Sequence, residues 1–123
     1  MTLHPLLPAA ALALALAVPV AAQQSAPPPL NKEQQTLLKC SATFALVSNR
    51  QKAGDKAAMS FPDVTERGRE YFIRAMVQLM DDAGLKRETI VTLVTDEAAR
   101  LQDPAVLYAG MPDCLASLEA SGL

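Results

Sequence analysis

Cys40 and Cys114 are the only cysteines of the sequence, and their types and spacing predict the clearest chemistry in it. Two cysteines in an exported chain meet an oxidising compartment, where they can pair with each other. We therefore predict a structural disulfide between Cys40 and Cys114 that joins the first helix of the domain to the last. A pair of buried thiols and a redox sensor are the alternatives that the sequence leaves open.

Histidine, the usual general base near neutral pH, occurs once, as His4. His4 lies in the N-terminal segment, which the pattern described in the next paragraph predicts to be a cleaved signal peptide. The mature chain would then have no histidine, which excludes a Ser-His-Asp triad, a Cys-His dyad and an imidazole zinc site. The sequence has no CxxC, GxGxxG, P-loop or EF-hand motif. The adjacent acids Asp81-Asp82 and Asp96-Glu97 are predicted to be solvated. We expect no catalytic residue, no cofactor and no metal site.

The N-terminal segment has the pattern of an export signal. Residues Leu6 to Ala22 are almost wholly apolar, Pro19 interrupts them, and small residues precede the predicted cleavage site between Ala22 and Gln23. A retained membrane anchor is the alternative, but the uninterrupted run is much shorter than the roughly 20 residues that span a bilayer. We predict a signal peptide over residues 1–22, no stable anchor after cleavage, and a periplasmic or secreted protein.

The length of the chain limits it to one small domain, and its charge limits the partners it can bind. The 123 residues carry a formal net charge of −2, which is too balanced for a nucleic-acid-binding surface. After cleavage, residues 23–30 are predicted to form a disordered, proline-rich spacer. Residues 31–123 are predicted to form a single helical domain.

Turn and cap residues predict where the helices of this domain begin and end. The first helix starts at an Asn31 cap with Gln34 three residues later, and Gly54 ends it. A loop follows over residues 55–60. Ser60 or Phe61 then caps a second helix, with Pro62 in its first turn.

The second predicted helix has the strongest apolar period of the chain and ends at Gly84. Gly68 lies on its apolar side, where we expect it to let another helix approach closely. Residues 86–101 keep helical spacing despite their β-branched run, and no second strand is available to pair with them, so we predict a third helix. Pro104 and Pro112 each start a short terminal helix.

The predicted fold is therefore all-α, a four- to five-helix bundle closed by one disulfide. Four methionines, Met59, Met76, Met80 and Met111, are interpreted as core residues, with an adaptable binding groove as the alternative. The layout of signal, size, helicity and one disulfide resembles the small periplasmic acid-stress chaperones, without sharing a specific motif.

These observations bear on three possible functions. We expect a non-enzymatic interaction or binding module, with an envelope protein as the partner and no nucleic acid. An acid-activated holdase chaperone, loosened by protonation of its carboxylates, is the alternative. A carboxylate-based hydrolase would need two buried acids that converge, and no Asp or Glu falls on an apolar stripe.

Overall fold

The computed structural model describes residue 1 and residues 29–123 of the chain. The predicted signal peptide, the cleavage site between Ala22 and Gln23, and residues 23–28 of the predicted spacer lie outside the described residues. Within the described part the protein is all-α, with no strand, as predicted. Its helices are α1 (Lys32–Lys52), α2 (Lys56–Met59), α3 (Thr65–Ala83), α4 (Arg87–Arg100), α5 (Pro104–Ala109) and α6 (Met111–Ala120).

Helix α1 begins with the predicted capping box. The Asn31 side chain accepts a hydrogen bond from the Gln34 backbone N–H at 2.8 Å, and the Gln34 side chain accepts one from the Asn31 N–H at 3.0 Å. These two bonds satisfy donors that the first turn of a helix leaves unpaired. Gly54, at φ +78°, turns the chain away after the helix. Helical spacing also predicts an apolar stripe on this helix, and it is buried or partly buried except at Ala45, which is exposed; the stripe consists of Leu37, Leu38, Cys40, Ala42, Phe44, Ala45 and Val47.

The segment between α1 and α3 differs from the prediction in two ways. The expected loop over residues 55–60 contains the short helix α2, whose N-cap is the Asp55 side chain. The following helix begins at Thr65 and not at Ser60 or Phe61, so Pro62 lies before the helix and not in its first turn.

The physical reason for the late start of α3 is the side chain of Gln51 in α1. Its amide nitrogen donates to the carbonyls of Phe61 and Pro62, at 3.4 and 2.9 Å, and its amide oxygen accepts from the Val64 N–H at 3.3 Å. These bonds bind the backbone of residues 61–64 in a non-helical path. They also hold Val64 at the N-cap of α3, where its side chain is buried.

The core is centred on the packing of α1 against α3. Gly68 allows this approach, as predicted, because a Cβ at residue 68 would lie only 2.9 Å from the Cβ of Phe44. The Phe44 ring meets the Tyr71 ring edge to face, with 5.3 Å between the centroids. The Tyr71 hydroxyl shares a 2.8 Å hydrogen bond with Ser117 of α6. The main core therefore joins α1, α3 and α6.

Residues 87–100 form helix α4, which confirms the predicted helix over a strand. Gly84, in the left-handed conformation at φ +64°, ends α3 and begins the connection to α4. Leu85 and Ile90 pack with Leu79 and Leu38 in a second, smaller apolar cluster. Helices α3 and α4 each pack more extensively on α1 than on each other. Because of this arrangement, the sides of α3 and α4 that face away from α1 do not pack closely against each other.

The terminal helices start at prolines, as predicted. Pro104 and Pro112 lie in the first turns of α5 and α6, where their missing N–H groups need no partner. The Asp103 side chain caps α5 by accepting from the Ala105 N–H at 2.9 Å. Among the described residues, none of the helices has the length and apolar character needed to cross a membrane.

Candidate binding groove

An apolar groove runs between α3 and α4 on the side that faces away from α1. We call it the α3–α4 groove, and its volume is about 600 Å³. Three other depressions in the described residues enclose about 230 to 320 Å³ each. The residues that line the groove are Phe72, Ile73, Met76, Val77, Met80, Arg87, Ile90, Val91, Val94 and Thr95.

The groove exists because α3 carries apolar residues on more than one side. Tyr71, Ala75 and Leu79 repeat at four-residue spacing and are buried in the core. Ile73 and Val77 each follow a residue of that stripe by two positions, which places them on a different side of the helix. They are 51% and 47% exposed. A single stripe is enough to pack a helix on one neighbour. The second stripe is therefore left partly exposed when the first one packs in the core.

Helix α4 supplies the opposite wall. Ile90 is buried in the second apolar cluster, whereas Val91, one position further along, is 59% exposed. Met80 of α3 is 37% exposed. Large apolar side chains that are exposed singly are normal, whereas the four exposed here line one groove.

One cationic side chain, Arg87, lines the otherwise apolar and neutral groove. The ion pairs of the described residues are Arg67–Glu119, Arg69–Glu66 and Arg100–Glu97, so Arg87 takes part in none of them. The Thr95 hydroxyl donates to the Val91 carbonyl at 2.8 Å and is already satisfied within α4. The groove thus offers apolar contact along its walls and one charge available to a partner.

The methionines divide between the core and the surface. Met111 is fully buried, as the prediction of core residues requires, and Met76 is partly buried against both apolar clusters. The core interpretation is wrong for Met59 and Met80, which are 60% and 37% exposed. Met76 and Met80 line the α3–α4 groove, which is where the alternative interpretation places them, and binding at this groove stays a prediction.

Cys40 and Cys114 form the predicted disulfide, with 5.2 Å between their Cα atoms. Each residue is only 1% exposed, because α1 and α6 enclose the bond within the main core. An external thiol that could reduce the bond cannot reach it while the protein is folded. The position of the disulfide is that of a structural cross-link.

Most carboxylates of the described residues lie on the surface. Asp81, Asp82 and Asp96 are exposed, as predicted for a solvated helix face. The prediction is wrong for Glu97, whose side chain is only 17% exposed and forms an ion pair with Arg100. Within residues 29–123, no three His, Cys, Asp or Glu side chains are close enough to hold a metal ion. Tyr71 is the one buried titratable side chain with a displaced pKa there: burial raises its pKa, and the hydrogen bond with Ser117 opposes that change.

Acid is expected to destabilise the protein only below about pH 4, and Asp63 contributes to that loss. The Asp63 carboxylate accepts hydrogen bonds from the Thr65 N–H and hydroxyl, and these lower its pKa in the folded state. A lowered folded pKa stabilises the protein above the unfolded value, near 4, and this stabilisation disappears as the pH falls through the folded pKa.

Urea-unfolding midpoints measured from pH 8 to pH 3 test this expectation. The midpoint should be nearly constant between pH 6 and 8 and should fall below about pH 4. Asp63→Asn should reduce the acid dependence, whereas Asp96→Asn, at an exposed position without such bonds, should leave it unchanged. A sharp transition between pH 6 and 7 would contradict the expectation, because it would require a carboxyl group with a strongly raised pKa.

The fold and the groove together define a small, disulfide-closed, all-α protein with an open apolar surface. Comparison with known proteins adds no relative, since no family model, no curated protein and no solved structure matches the chain.

Proposed function

We propose that the protein is an exported, non-enzymatic binding module and that the α3–α4 groove is its binding surface. The observation that carries this proposal is the groove itself, along which the apolar side chains of Ile73, Val77 and Val91 are exposed. Exposed apolar surface costs free energy in water, and covering it with a ligand recovers that free energy. Binding of an apolar ligand in this groove would therefore be favourable, because it removes exposed apolar surface from water.

Two observations support export. The buried Cys40–Cys114 disulfide is of the kind that persists in oxidising compartments outside the cytoplasm. The N-terminal sequence has an apolar segment followed by a cleavage pattern between Ala22 and Gln23. We propose a periplasmic or secreted location on these grounds. Intact-mass measurement of the extracytoplasmic fraction should find a chain that begins at Gln23, and a mass that includes residues 1–22 would contradict processing.

The size of the groove limits what an envelope protein, the partner expected from the sequence, could present to it. Such a protein would have to insert a small apolar element between α3 and α4. The groove already exposes its apolar walls without any loosening by acid, so the structure supports the binding module over the acid-activated holdase. The holdase would instead expose additional apolar surface only below about pH 4.

Site-specific cross-linking in intact cells tests the proposed binding surface. A photoreactive residue at Val91 should give a discrete adduct, whereas the same residue at the exposed Asp96 of α4 should give none. Val77→Asp, in the opposite wall of the groove, should abolish the Val91 adduct. Ala116→Asp, at an exposed position of α6, is the matched control and should leave it unchanged. Equal labelling at Val91 and Asp96, or a Val91 adduct insensitive to Val77→Asp, would overturn the proposal.

A further inference from the structure

We propose that the ligand of the α3–α4 groove is an anionic amphiphile with a single alkyl chain, held with its chain along the groove and its head group at Arg87. This inference rests on the proposed function and names the ligand class of the same site. Its chemistry is shared by fatty acids, whose head is a carboxylate, and by single-chain phospholipids, whose head is a phosphate.

The size of the groove favours a small ligand over a folded protein. Its volume of about 600 Å³ falls within the roughly 300–1,000 Å³ of small-molecule sites, which are mostly apolar with a few polar groups. A stable protein interface uses about 20–30 residues on each side. The four large apolar side chains exposed here, Ile73, Val77, Met80 and Val91, together expose only about as much surface as two whole residues. The same comparison disfavours a second copy of this chain as the occupant.

The shape of the groove favours an extended chain. The connection between α3 and α4 is only three residues long, as is typical of antiparallel neighbours, and Met80 and Arg87 are the lining residues nearest to it in sequence. Phe72 and Thr95 are the lining residues furthest from it along each helix. From Phe72 to Met80 along α3, the groove extends about 12 Å at 1.5 Å per residue. A channel of this length between two apolar walls matches a single extended alkyl chain.

The walls can adapt to such a chain. Met76 and Met80 both line the groove, and methionine has three rotatable bonds and a polarisable sulfur, which let it fill irregular spaces. Ile73, Val77 and Val91 supply branched methyl groups on either side. Apart from Arg87 and Thr95, all the side chains that line the groove are apolar, so methylene groups can contact them without displacing hydrogen-bonded water.

The single charge sets the sign and the position of the head group. Arg87 forms none of the ion pairs of residues 29–123, so its guanidinium group can bind a new anion without losing an existing one. A guanidinium group binds a carboxylate or a phosphate through two parallel hydrogen bonds. Glu88 is the next residue of α4, about 100° further around the helix, and it is not among the residues that line the groove. An anionic head is therefore favoured over a cationic one.

Titration of the processed, oxidised protein with four amphiphiles of the same chain length tests this proposal. The probes are laurate, dodecyl phosphate, uncharged dodecyl maltoside and dodecyltrimethylammonium, each kept below the concentration at which it forms micelles. We expect laurate and dodecyl phosphate to shift the methyl NMR signals of Ile73, Met80 and Val91, with affinities at least tenfold above that of the cationic probe. The ratio of the laurate and dodecyl phosphate affinities distinguishes the two natural sources of the head group.

Two pairs of variants connect the result to the groove. Arg87→Gln should reduce laurate affinity about tenfold and leave dodecyl maltoside unchanged, whereas Arg74→Gln, which removes the same charge from α3 outside the groove, should change neither. Val91→Glu should abolish binding of both anionic probes, and the exposed Ala116→Glu should not. Circular-dichroism melts confirm that each variant is folded.

Three results of the titrations would overturn the inference. These are equal affinities for the anionic and cationic probes, laurate binding that is insensitive to Arg87→Gln, and methyl shifts confined to residues outside the groove. Absence of laurate binding together with a specific protein adduct at Val91 in cells would also overturn it, while leaving the proposed binding function intact with a protein as the partner.

Discussion

Breaking the Cys40–Cys114 bond is expected to lower the free energy of unfolding by about 4 to 5 kcal/mol. The bond closes a loop with a sequence separation of 74 residues, and the chain-entropy account assigns about 4.5 kcal/mol to a loop of this length. A small domain has a total stability of only about 5–15 kcal/mol. Because both cysteines are buried in the main core, loss of the bond should leave the folded state only marginally stable.

Denaturant unfolding of the oxidised protein and of Cys40→Ser, Cys114→Ser and the double variant measures this effect. The double variant should resemble either single variant, because each single substitution already breaks the same bond. Fully reduced wild-type protein is the matched control, since it keeps every side chain and lacks only the cross-link. A difference below about 1 kcal/mol between oxidised and reduced protein, or reactive thiols in unreduced, denatured protein, would contradict a structural role.

Gly68→Ala is expected to destabilise the protein even though alanine is the better helix former. The substitution gains about 1 kcal/mol in helix propensity. The new Cβ would lie 2.9 Å from the Cβ of Phe44, closer than real Cβ atoms approach one another. Phe44 cannot swing aside, because its Cβ is fixed to the α1 backbone and its ring packs on Tyr71. Helices α1 and α3 must therefore separate, at an overpacking cost of about 1–3 kcal/mol.

Gly110→Ala is the matched control for this prediction. Gly110 has a right-handed φ of −81°, which alanine adopts without strain. Its added Cβ would meet the Lys39 Cε at 3.3 Å, near the end of a flexible side chain that can move. We expect a change between zero and a gain of about 1 kcal/mol. Unfolding midpoints that fall by the same amount in both variants would show that close helix contact at Gly68 is not the cause.

Local signals predicted most of the helices because the groups that begin and end a helix lie next to each other in sequence. The Asn31–Gln34 capping box, the Gly84 stop and the prolines that open α5 and α6 all depend on residues within one turn. The start of α3 depends instead on Gln51, more than ten residues earlier, whose side chain binds the backbone of residues 61–64. A propensity argument at Ser60 and Pro62 cannot include that contact.

The groove could be predicted only as an alternative. Sequence spacing shows that α3 is apolar around much of its circumference, and it places Ile73 and Tyr71 on different sides of the helix. Tertiary packing decides which side of α3 faces α1. The contacts responsible are that of Gly68 with Phe44 and the packing around the Cys40–Cys114 disulfide. The exposure of Met80 follows from the same choice, because the apolar stripe chosen for the core leaves the other stripe uncovered.

The disulfide also determines how the protein would respond to mechanical tension. Cys40 lies in α1 and Cys114 in α6, so a pull applied on either side of the linked pair passes directly through the sulfur atoms. Helices α2 to α5 lie inside the closed loop and would carry no load, even if they melted. Reduction would release a contour length of about 250 Å, at roughly 3.3–3.6 Å per extended residue. In the oxidised protein, α3 and α4, which form the walls of the groove, therefore bear none of the tension applied to the ends of the chain.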